Sequence, residues 1–248
     1  GPLKERILTY TFKAKRRESV KKDFPATELQ FSKEELGKDL KPTSLGPISG
    51  KIEKLALSIT EGKETNLAKA RAIYDWIVIN MYRDPAVKGC GFGDVEKLIV
   101  SLGGKCGDIH SVFVALARSA GVPAREIFGI RLPKGKEGDM TKSQHCWAEF
   151  YLQGYGWVPV DPSDVRKAML EKKTTDLKDV NNIVEYFFGA VDESRVAYQT
   201  GRDIVLNPPQ SGGKLNYFMY PYAEVEGKPL NEDLFGFNLG YKISFREL

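Results

Sequence analysis

The feature that most constrains the fold is an apolar helix bounded by glycines, in the stretch GGKCGDIHSVFVALARSAGVPAR from Gly103 to Arg125. Its apolar residues recur at intervals of three and four and cover a wide face, which is typical of a helix buried at the centre of a domain. A Gly-Gly pair precedes the helix and the sequence GVP ends it. Since such a helix must be covered by other elements, we expect the core of the protein to form around it.

The segments on either side of this helix predict its neighbours. Amphipathic spacing predicts a helix from Thr65 to Tyr82, and Asp94 is a suitable N-cap for a second helix that stops at Gly103. Three later segments have the character of strands, with the turn QGYG between the last two: AREIFGIRL, HCWAEFYL and WVPVDPSD. Helices followed by an antiparallel sheet indicate an α+β fold.

The predicted domain organisation has three parts. Residues 1–50 form an arm with an edge strand around ILTYTFKAK, residues 51–165 form the core, and residues 166–248 form a β-rich extension that packs on the core. The predicted strands of the extension lie in RVAYQTGRDIVL, LNYFMYPYAEVEG and FNLGYKISFREL.

Composition narrows the class of protein. With 42% hydrophobic and 28% charged residues in a length of 248, the chain is typical of a globular protein. Its net charge of +4 is small, and its lysines are scattered along the sequence rather than clustered. Nucleic acid is therefore not an expected partner. No apolar run approaches the roughly 18 residues of a transmembrane helix. The three cysteines include no C-x-x-C pair, so no disulfide framework is expected.

Cys106 has two candidate roles at the start of the central helix. Free cysteines are among the most buried residue types, so Cys106 is a candidate for simple packing. A thiol at a helix N-terminus, however, has a lowered pKa, and the preceding glycines leave the sulfur uncrowded. Cys106 is therefore also a candidate nucleophile, provided that a base lies near it.

The sequence contains two histidines as candidate bases. His110 lies one helical turn beyond Cys106, and we expect it to be a packed or capping residue, because a base on the same helix is poorly aimed at a thiol that faces a substrate. His145 begins the strand HCWAEFYL and is the better candidate.

The hairpin that follows His145 predicts a carboxylate beside it. If the hairpin is centred on Gln153, His145 lies directly opposite Asp161, close enough for the carboxylate to bond one imidazole nitrogen and fix the tautomer. Trp147 and Trp157 then share the same face of the sheet. Cys106, His145 and Asp161 together have the composition of a catalytic triad.

These motifs resemble the transglutaminase-like superfamily of papain-related thiol enzymes. GGKCGDIHSVFVALARSAGVPAR is similar to the family's nucleophile helix, HCWAEFYLQGYGWVPVDPSD to its His-x-Trp-x-Glu hairpin, and ARAIYDWIVINMYRDP more loosely to the helix before them. The resemblance covers residues 65–164 and implies a papain-like core. By position it makes Cys106 the nucleophile, His145 the base and Asp161 the residue that orients the base.

The sequence departs from the family pattern at Cys146, where many relatives have a small or apolar residue. By strand alternation, Cys146 is expected to point away from the site and to pack in the core. A metal site drawn from Cys90, Cys106, Cys146, His110 and His145 is a weaker alternative, because no pair has zinc-ligand spacing. The stretch GCGFGD follows no strand, which disfavours dinucleotide binding. No cofactor or metal is therefore expected.

The predicted function is hydrolysis of a peptide or related amide bond through a thioester on Cys106. Two alternatives stay open: transfer of the acyl group to an amine, as in transglutaminase cross-linking, and a non-enzymatic interaction module on the same fold. Water-excluding walls built from Trp147 and Trp157 would favour transfer, although packing within the hairpin is the simpler expectation for them. The expected partner is a peptide or protein substrate. The resemblance also favours a bacterial, extracytoplasmic protein whose natural signal peptide is absent from this sequence.

Overall fold

The secondary structure comes from a computed structural model that describes residues 7–29, 33–230 and 239–248. The helices are α1 (Lys33–Leu36), α2 (Lys51–Ile59), α3 (Asn66–Asn80), α4 (Val95–Ser101), α5 (Cys106–Ser119), α6 (Pro162–Lys172) and α7 (Asn181–Tyr186), with 3-10 turns at Gly37–Leu40 and Leu177–Val180. The strands are β1 (Ser19–Val20), β2 (Tyr82–Arg83), β3 (Gly103–Gly104), β4 (Ala124–Arg131), β5 (Glu137–Asp139), β6 (Gln144–Leu152), β7 (Gly156–Val160), β8 (Ala190–Val191), β9 (Arg195–Thr200), β10 (Glu224–Val225), β11 (Lys228–Pro229) and β12 (Ser244–Arg246).

An antiparallel sheet in the order β7-β6-β4-β9 forms one layer of the core. The three strands expected between residues 124 and 164 are present, although the last one ends at Val160 and the chain continues as α6. Ala148 and Phe150 of β6 are fully buried in the same cluster as the side chains of α5. At Gly129 the backbone of β9 comes so close that a Cβ would lie 2.0 Å from the carbonyl oxygen of Val196, so only glycine fits there.

The central position of α5 is confirmed. The helix packs on β4 and β6 and also contacts α2, α3 and α4, and residues 106–118 are all buried. The two helices expected before it are present as α3 and α4. Thr65 caps α3 by accepting a hydrogen bond from the N–H of Ala68 at 3.1 Å, and the side chain of Asp94 caps α4. The mixed helix and sheet architecture is therefore as predicted. Among the helices that the structure describes, none combines the length and the apolar character that crossing a membrane requires.

The N-terminal arm does not form the expected edge strand around ILTYTFKAK. Residues 7–18 have no regular secondary structure, and the arm instead pairs at Ser19–Val20 with β8. Ile7 and Leu8 are exposed to solvent. Alternating apolar and polar residues form a strand only where a partner edge is available, and the local pattern does not reveal whether one is.

The C-terminal extension is mostly irregular or helical, so the expectation of a β-rich segment is wrong for most of it. Residues 166–186 contain the end of α6, a 3-10 turn and α7, and LNYFMYPYAEVEG contributes only the short strand β10. RVAYQT does form β9, and the end of FNLGYKISFREL forms β12, which pairs with β5. Residues 237 and 238 of that last segment lie outside the described residues. Tyr217 and Tyr220 pack onto the core without forming a strand, which their sequence spacing does not reveal.

Candidate active site

Cys106 is the first residue of α5 and is 2% exposed. The carboxylate of Asp108 fixes the helix start by accepting two backbone N–H hydrogen bonds, at 3.0 Å from Lys105 and 2.8 Å from Gly93. The next residue, at position 107, donates its N–H to the Cys90 carbonyl at 2.6 Å, and a Cβ there would also lie 2.6 Å from that oxygen. A larger side chain after Cys106 would therefore push the Cys90 loop away from the helix.

His145 and Asp161 meet, although the register of the hairpin differs from the prediction. Nε2 of His145 lies 2.9 Å from Oδ2 of Asp161. The hairpin is centred on Gly154, one residue later than expected, since Tyr151 pairs with Trp157. This change moves each partner by two positions, which leaves every side chain on the same face, whereas a shift of one position would have turned Asp161 away.

The carboxylate of Asp161 bridges two imidazoles at the start of α6. It caps that helix by accepting the N–H of Asp164 at 2.9 Å, and its Oδ1 lies 3.1 Å from Nε2 of His110. His110 and Asp161 are fully buried, and His145 is 6% exposed. His110 is thus packed, as expected, but it also belongs to the hydrogen-bond network of the site.

Two arginines complete the site, and neither was predicted from the sequence. Arg195 is fully buried and forms ion pairs with Asp161, with Asp164 at 2.9 Å and with Asp192 at 2.9 Å. Arg131 lies opposite Arg195 in the sheet and also pairs with Asp164. Nothing in the sequence separates these two side chains from the rest of the 37 lysines and arginines, because only the pairing of β4 with β9 brings them together.

The charges around His145 favour its protonated form. Burial opposes a positive imidazole, but the carboxylates of Asp164 and Asp161 outweigh burial and the nearby Arg131, and they raise the pKa of His145. The charges around Asp161 favour its ionised form. Burial acts to raise the pKa of Asp161, but the charges of Arg195 and His145 outweigh it and hold that pKa well below its usual range.

The sulfur of Cys106 lies in a cluster with two other thiols. The expectation that Cys146 points away is wrong, because Cys146 lies on the sheet face that α5 covers and therefore packs against Cys106. Hydrogen bonds from Cys146 and Cys90, together with the hydrogen bond and charge of His145, hold the pKa of Cys106 well below its usual range against the effect of burial. The hydrogen bond to Cys106 raises the pKa of Cys90, and burial raises the pKa of Cys146. Of the three thiols, Cys106 is the one whose pKa is lowered.

A short C-terminal stretch covers the thiols. This covering segment, residues 216–220, packs three side chains onto them: Tyr217, Met219 and Tyr220. Oη of Tyr217 donates to the carbonyl of Gly91 at 2.6 Å, and Oη of Tyr220 accepts the N–H of Cys90 at 3.0 Å. The covering segment and the Cys90 loop therefore close the sulfur of Cys106 off from solvent.

The two tryptophans of the hairpin do not line an approach to Cys106. Trp147 is 3% exposed and packs with Ile127 and Val191. Trp157 lies under the guanidinium of Arg125, whose Cζ is 3.8 Å from the ring centroid. Both rings therefore pack on the hairpin, which is the simpler of the two expectations for them.

One group of side chains in the described residues has the geometry of a metal site. Ligand atoms of His145, Asp161 and Asp164 lie within 4.8 Å of one another. The guanidinium groups of Arg131 and Arg195 bond to these same carboxylates and lie 2.9 and 3.1 Å from Nε2 of His145. Two fixed positive charges at this distance oppose the binding of a cation.

Comparison with known proteins identifies relatives of this chain. Residues 53–162 match the family model described as the transglutaminase-like superfamily. An uncharacterized protein of Haemophilus influenzae is 51% identical over 191 residues, which are 68% of this chain and 52% of that protein. The uncharacterized protein YebA of Bacillus subtilis is 24% identical over 143 residues, which are 52% of this chain and 19% of that protein.

Among solved structures, the periplasmic domain of TgpA from Pseudomonas aeruginosa is similar to this chain with a TM-score of 0.45 and 18% identity. The similarity covers 58% of this chain and 52% of that one. The chain spans about half the length of the Haemophilus relative and a smaller share of YebA. The matched residues 53–162 include the start of α5 and the β6–β7 hairpin with Asp161, and over this part the chain is similar to the transglutaminase-like superfamily.

Proposed function

We propose that the protein is a thiol hydrolase that cleaves a peptide or related amide bond through a thioester on Cys106, with His145 as base and Asp161 as the group that orients it. The observation that carries the proposal is a buried thiol at a helix start, hydrogen-bonded to an imidazole that is itself bonded to a buried carboxylate. The match of residues 53–162 to the transglutaminase-like superfamily supports an acyl-transfer reaction in general.

The proposed reaction uses the ion pair of Cys106 and His145. The thiolate attacks the amide carbonyl, and the imidazolium donates its proton to the leaving amine. The neutral imidazole then takes a proton from water, which attacks the thioester and releases the acid. Asp161 holds the ring through Nε2, so that Nδ1 serves for proton transfer, and stabilises the positive form.

The tetrahedral intermediate needs hydrogen-bond donors for its negative oxygen. The backbone N–H of Cys106 is suitable, because the first N–H groups of a helix have no acceptor within the helix. The N–H of Gly107 is bonded to the Cys90 carbonyl at 2.6 Å. Because that N–H is already used, the second donor for the negative oxygen must be another group, which becomes accessible once the covering segment has moved.

The positions of the tryptophans support hydrolysis over transfer to an amine. Transfer requires an approach that keeps water from the thioester, and aromatic walls are the usual means. Trp147 is buried against Ile127 and Val191, and Trp157 lies under the guanidinium of Arg125. Water is therefore the acceptor that we propose.

The most informative test is to trap the acyl-enzyme. The protein is incubated with a peptide library, quenched in acid and digested, and the peptide that contains Cys106 is examined by mass spectrometry. We expect an acyl adduct on Cys106 that identifies the substrate, and no adduct in Cys106→Ala. Cys90→Ser is the matched control and should keep the adduct. Adducts that persist in Cys106→Ala would refute the assignment of the nucleophile.

The acceptor is tested with glutamine-bearing peptides and a labelled primary amine. Hydrolysis predicts new acid or amine termini without incorporation of the label. Incorporation that outpaces hydrolysis would establish amine transfer instead. If neither product forms over a broad set of peptides, the chain is better explained as a non-enzymatic interaction module.

A further inference from the structure

A second Cys–His pair lies beside the proposed triad and shares its carboxylate. Sγ of Cys146 lies 3.6 Å from Nδ1 of His110, and Nε2 of His110 lies 3.1 Å from Oδ1 of Asp161. Because the carboxylate accepts the proton on Nε2, Nδ1 of His110 carries no proton and can take up the proton of the Cys146 thiol when that thiol ionises. Cys146 therefore has its own base, just as Cys106 has His145.

We propose that Cys146 is a resolving thiol, which forms a reversible disulfide with Cys106 after hydrogen peroxide has oxidised the nucleophile. The inference rests on the proposed function in one respect, namely that Cys106 is the reactive thiolate. It does not depend on which amide bond is cleaved or on whether water or an amine is the acceptor.

Contact between the two sulfur-bearing residues is the first support. Cys106 starts α5, Cys146 is the third residue of β6, and these elements pack so that both side chains lie in one buried cluster.

The second support is that the two thiols differ in reactivity. Thiolates react with peroxide and thiols do so far more slowly. Since the pKa of Cys106 is lowered and that of Cys146 is raised, oxidation begins at Cys106.

The reaction balances with hydrogen peroxide as the oxidant. The thiolate of Cys106 attacks one peroxide oxygen and the O–O bond breaks, so that Cys106 becomes a sulfenic acid. The departing hydroxide takes the proton of His145 and forms water. Cys146 then gives its proton to Nδ1 of His110 and attacks the sulfenic sulfur. The hydroxide that leaves takes that proton to form a second water. Two thiols are oxidised to one disulfide, and one peroxide is reduced to two waters.

Cys90 is the other thiol in the cluster and a less suitable partner. Its Sγ lies 3.4 Å from the carbonyl oxygen of Gln144, and neither that carbonyl nor a neighbouring thiol is a base that takes up the proton that must leave. The backbone of Cys90 is also fixed on both sides. Its carbonyl accepts the N–H of Gly107, and its N–H donates to Oη of Tyr220. Cys146 has an imidazole in the corresponding place.

The disulfide would protect the nucleophile from irreversible oxidation. A sulfenic acid that meets no thiol is oxidised further to sulfinic acid, which reducing agents do not reverse. Hydrogen peroxide is far smaller than a peptide, so it reaches the sulfur after a smaller displacement of the covering segment than a substrate needs.

The experiment maps the oxidised protein directly. The full chain is treated with hydrogen peroxide in the presence and absence of dimedone, which traps sulfenic acids, and is digested without reduction for mass spectrometry. We expect a cross-linked pair of peptides that contain Cys106 and Cys146. Dithiothreitol should remove the cross-link and restore the labelling of Cys106 by iodoacetamide.

Two matched variants separate the thiols. In Cys146→Ser the cross-link should disappear, and dimedone adducts or sulfinic acid should accumulate at Cys106, while Cys90→Ser should keep the cross-link. A Cys90–Cys106 cross-link, or sulfinic acid at Cys106 of the unmodified protein without any cross-link, would overturn the proposal. The readout is independent of turnover. A cross-link in a protein that cleaves no peptide would leave this inference standing and reject the proposed hydrolase.

Discussion

Asp161 shows at the scale of single residues how a buried charge is kept in place. Its oxygens bond to His145, His110 and Arg195 and to the backbone N–H of Asp164. A buried carboxylate without such partners would be neutralised, since an unpaired charge in the interior is costly. These contacts therefore determine that the group next to the imidazole is a carboxylate anion.

The low pKa of Cys106 predicts an unusual pH dependence of labelling. Because the thiolate is the reacting form, the rate of reaction of Cys106 with iodoacetamide should stay high as the pH falls below about 8.5, where an ordinary thiol with a pKa near 8.5 loses about tenfold per pH unit. Peptide mass spectrometry of a time course measures this rate. Cys90 and Cys146 serve as internal controls and should react slowly, because their pKa values are raised. Labelling of Cys106 with the profile of an ordinary thiol would contradict the prediction.

Replacing Arg195 should destabilise the fold strongly. Arg195→Met leaves Asp161 and Asp164 buried without one of their counter-charges, and breaking a buried ion pair from one side costs about 3–5 kcal/mol. Denaturant titration measures the free energy of unfolding. The matched control is Arg125→Met, whose half-buried pair with Glu149 lies in the same sheet and is worth about 0–1 kcal/mol. Equal losses in the two variants would show that Arg195 has no special role.

At the scale of elements, the register of the β6–β7 hairpin and the covering segment decide access to the site. The hairpin carries His145 and leads into Asp161, and its two-position shift from the expected register leaves their faces unchanged. The covering segment belongs to no sheet and is held by hydrogen bonds and by the packing of its aromatic rings. Opening of this segment is the step that we expect to control exposure of Cys106.

Tyr217→Ala should therefore raise the rate of Cys106 labelling. The lost hydrogen bond to Gly91 contributes about 0.5–1.5 kcal/mol and the buried ring about 1.5–3 kcal/mol, so the open form should become more populated by about tenfold or more. Phe218→Ala is the control in the same segment, because Phe218 is 40% exposed. If the two variants label at the same rate, another element covers the thiol.

At the scale of the whole molecule, the buried charge network couples stability to pH. Asp161 joins α5, the end of β7, α6 and β9 through its partners, so its ionisation affects all of these elements. The pKa of Asp161 in the folded protein is depressed below the unfolded value of about 3.9. The stability that it contributes is present above that value and is lost as the pH falls through the folded pKa.

Asp161→Asn should show this coupling and also impair catalysis. Near neutral pH the variant should lose about 3–5 kcal/mol of unfolding free energy, because the fully buried Arg195 loses one of its three carboxylate partners. The difference from the unmodified protein should begin to narrow below about pH 4, where Asp161 of the unfolded chain takes up a proton, and should be lost as the pH falls through the lower pKa of the folded protein. Turnover should fall by orders of magnitude, since an amide does not stabilise the imidazolium. Denaturant titrations at several pH values test the first effect, and a constant difference would contradict it.

The parts of the site that the sequence predicted depend on short-range patterns. The start of α5 at Cys106 follows from glycines and helical periodicity, and the meeting of His145 with Asp161 follows from a hairpin whose strands are adjacent in the chain. The exact register was wrong, but the period of two in a strand preserved the face.

What the sequence by itself determined about this protein is therefore the central helix, the hairpin and the order of the three chemical groups, because each is encoded within a few residues. Only the tertiary structure decided that Arg131 and Arg195 surround the imidazole, that Cys146 lies against Cys106, and that residues 216–220 cover the thiols. These contacts join segments far apart in the chain. Their geometry follows from which strand takes the edge of the sheet and which sheet face the helix covers, and local patterns of apolar residues do not encode either choice.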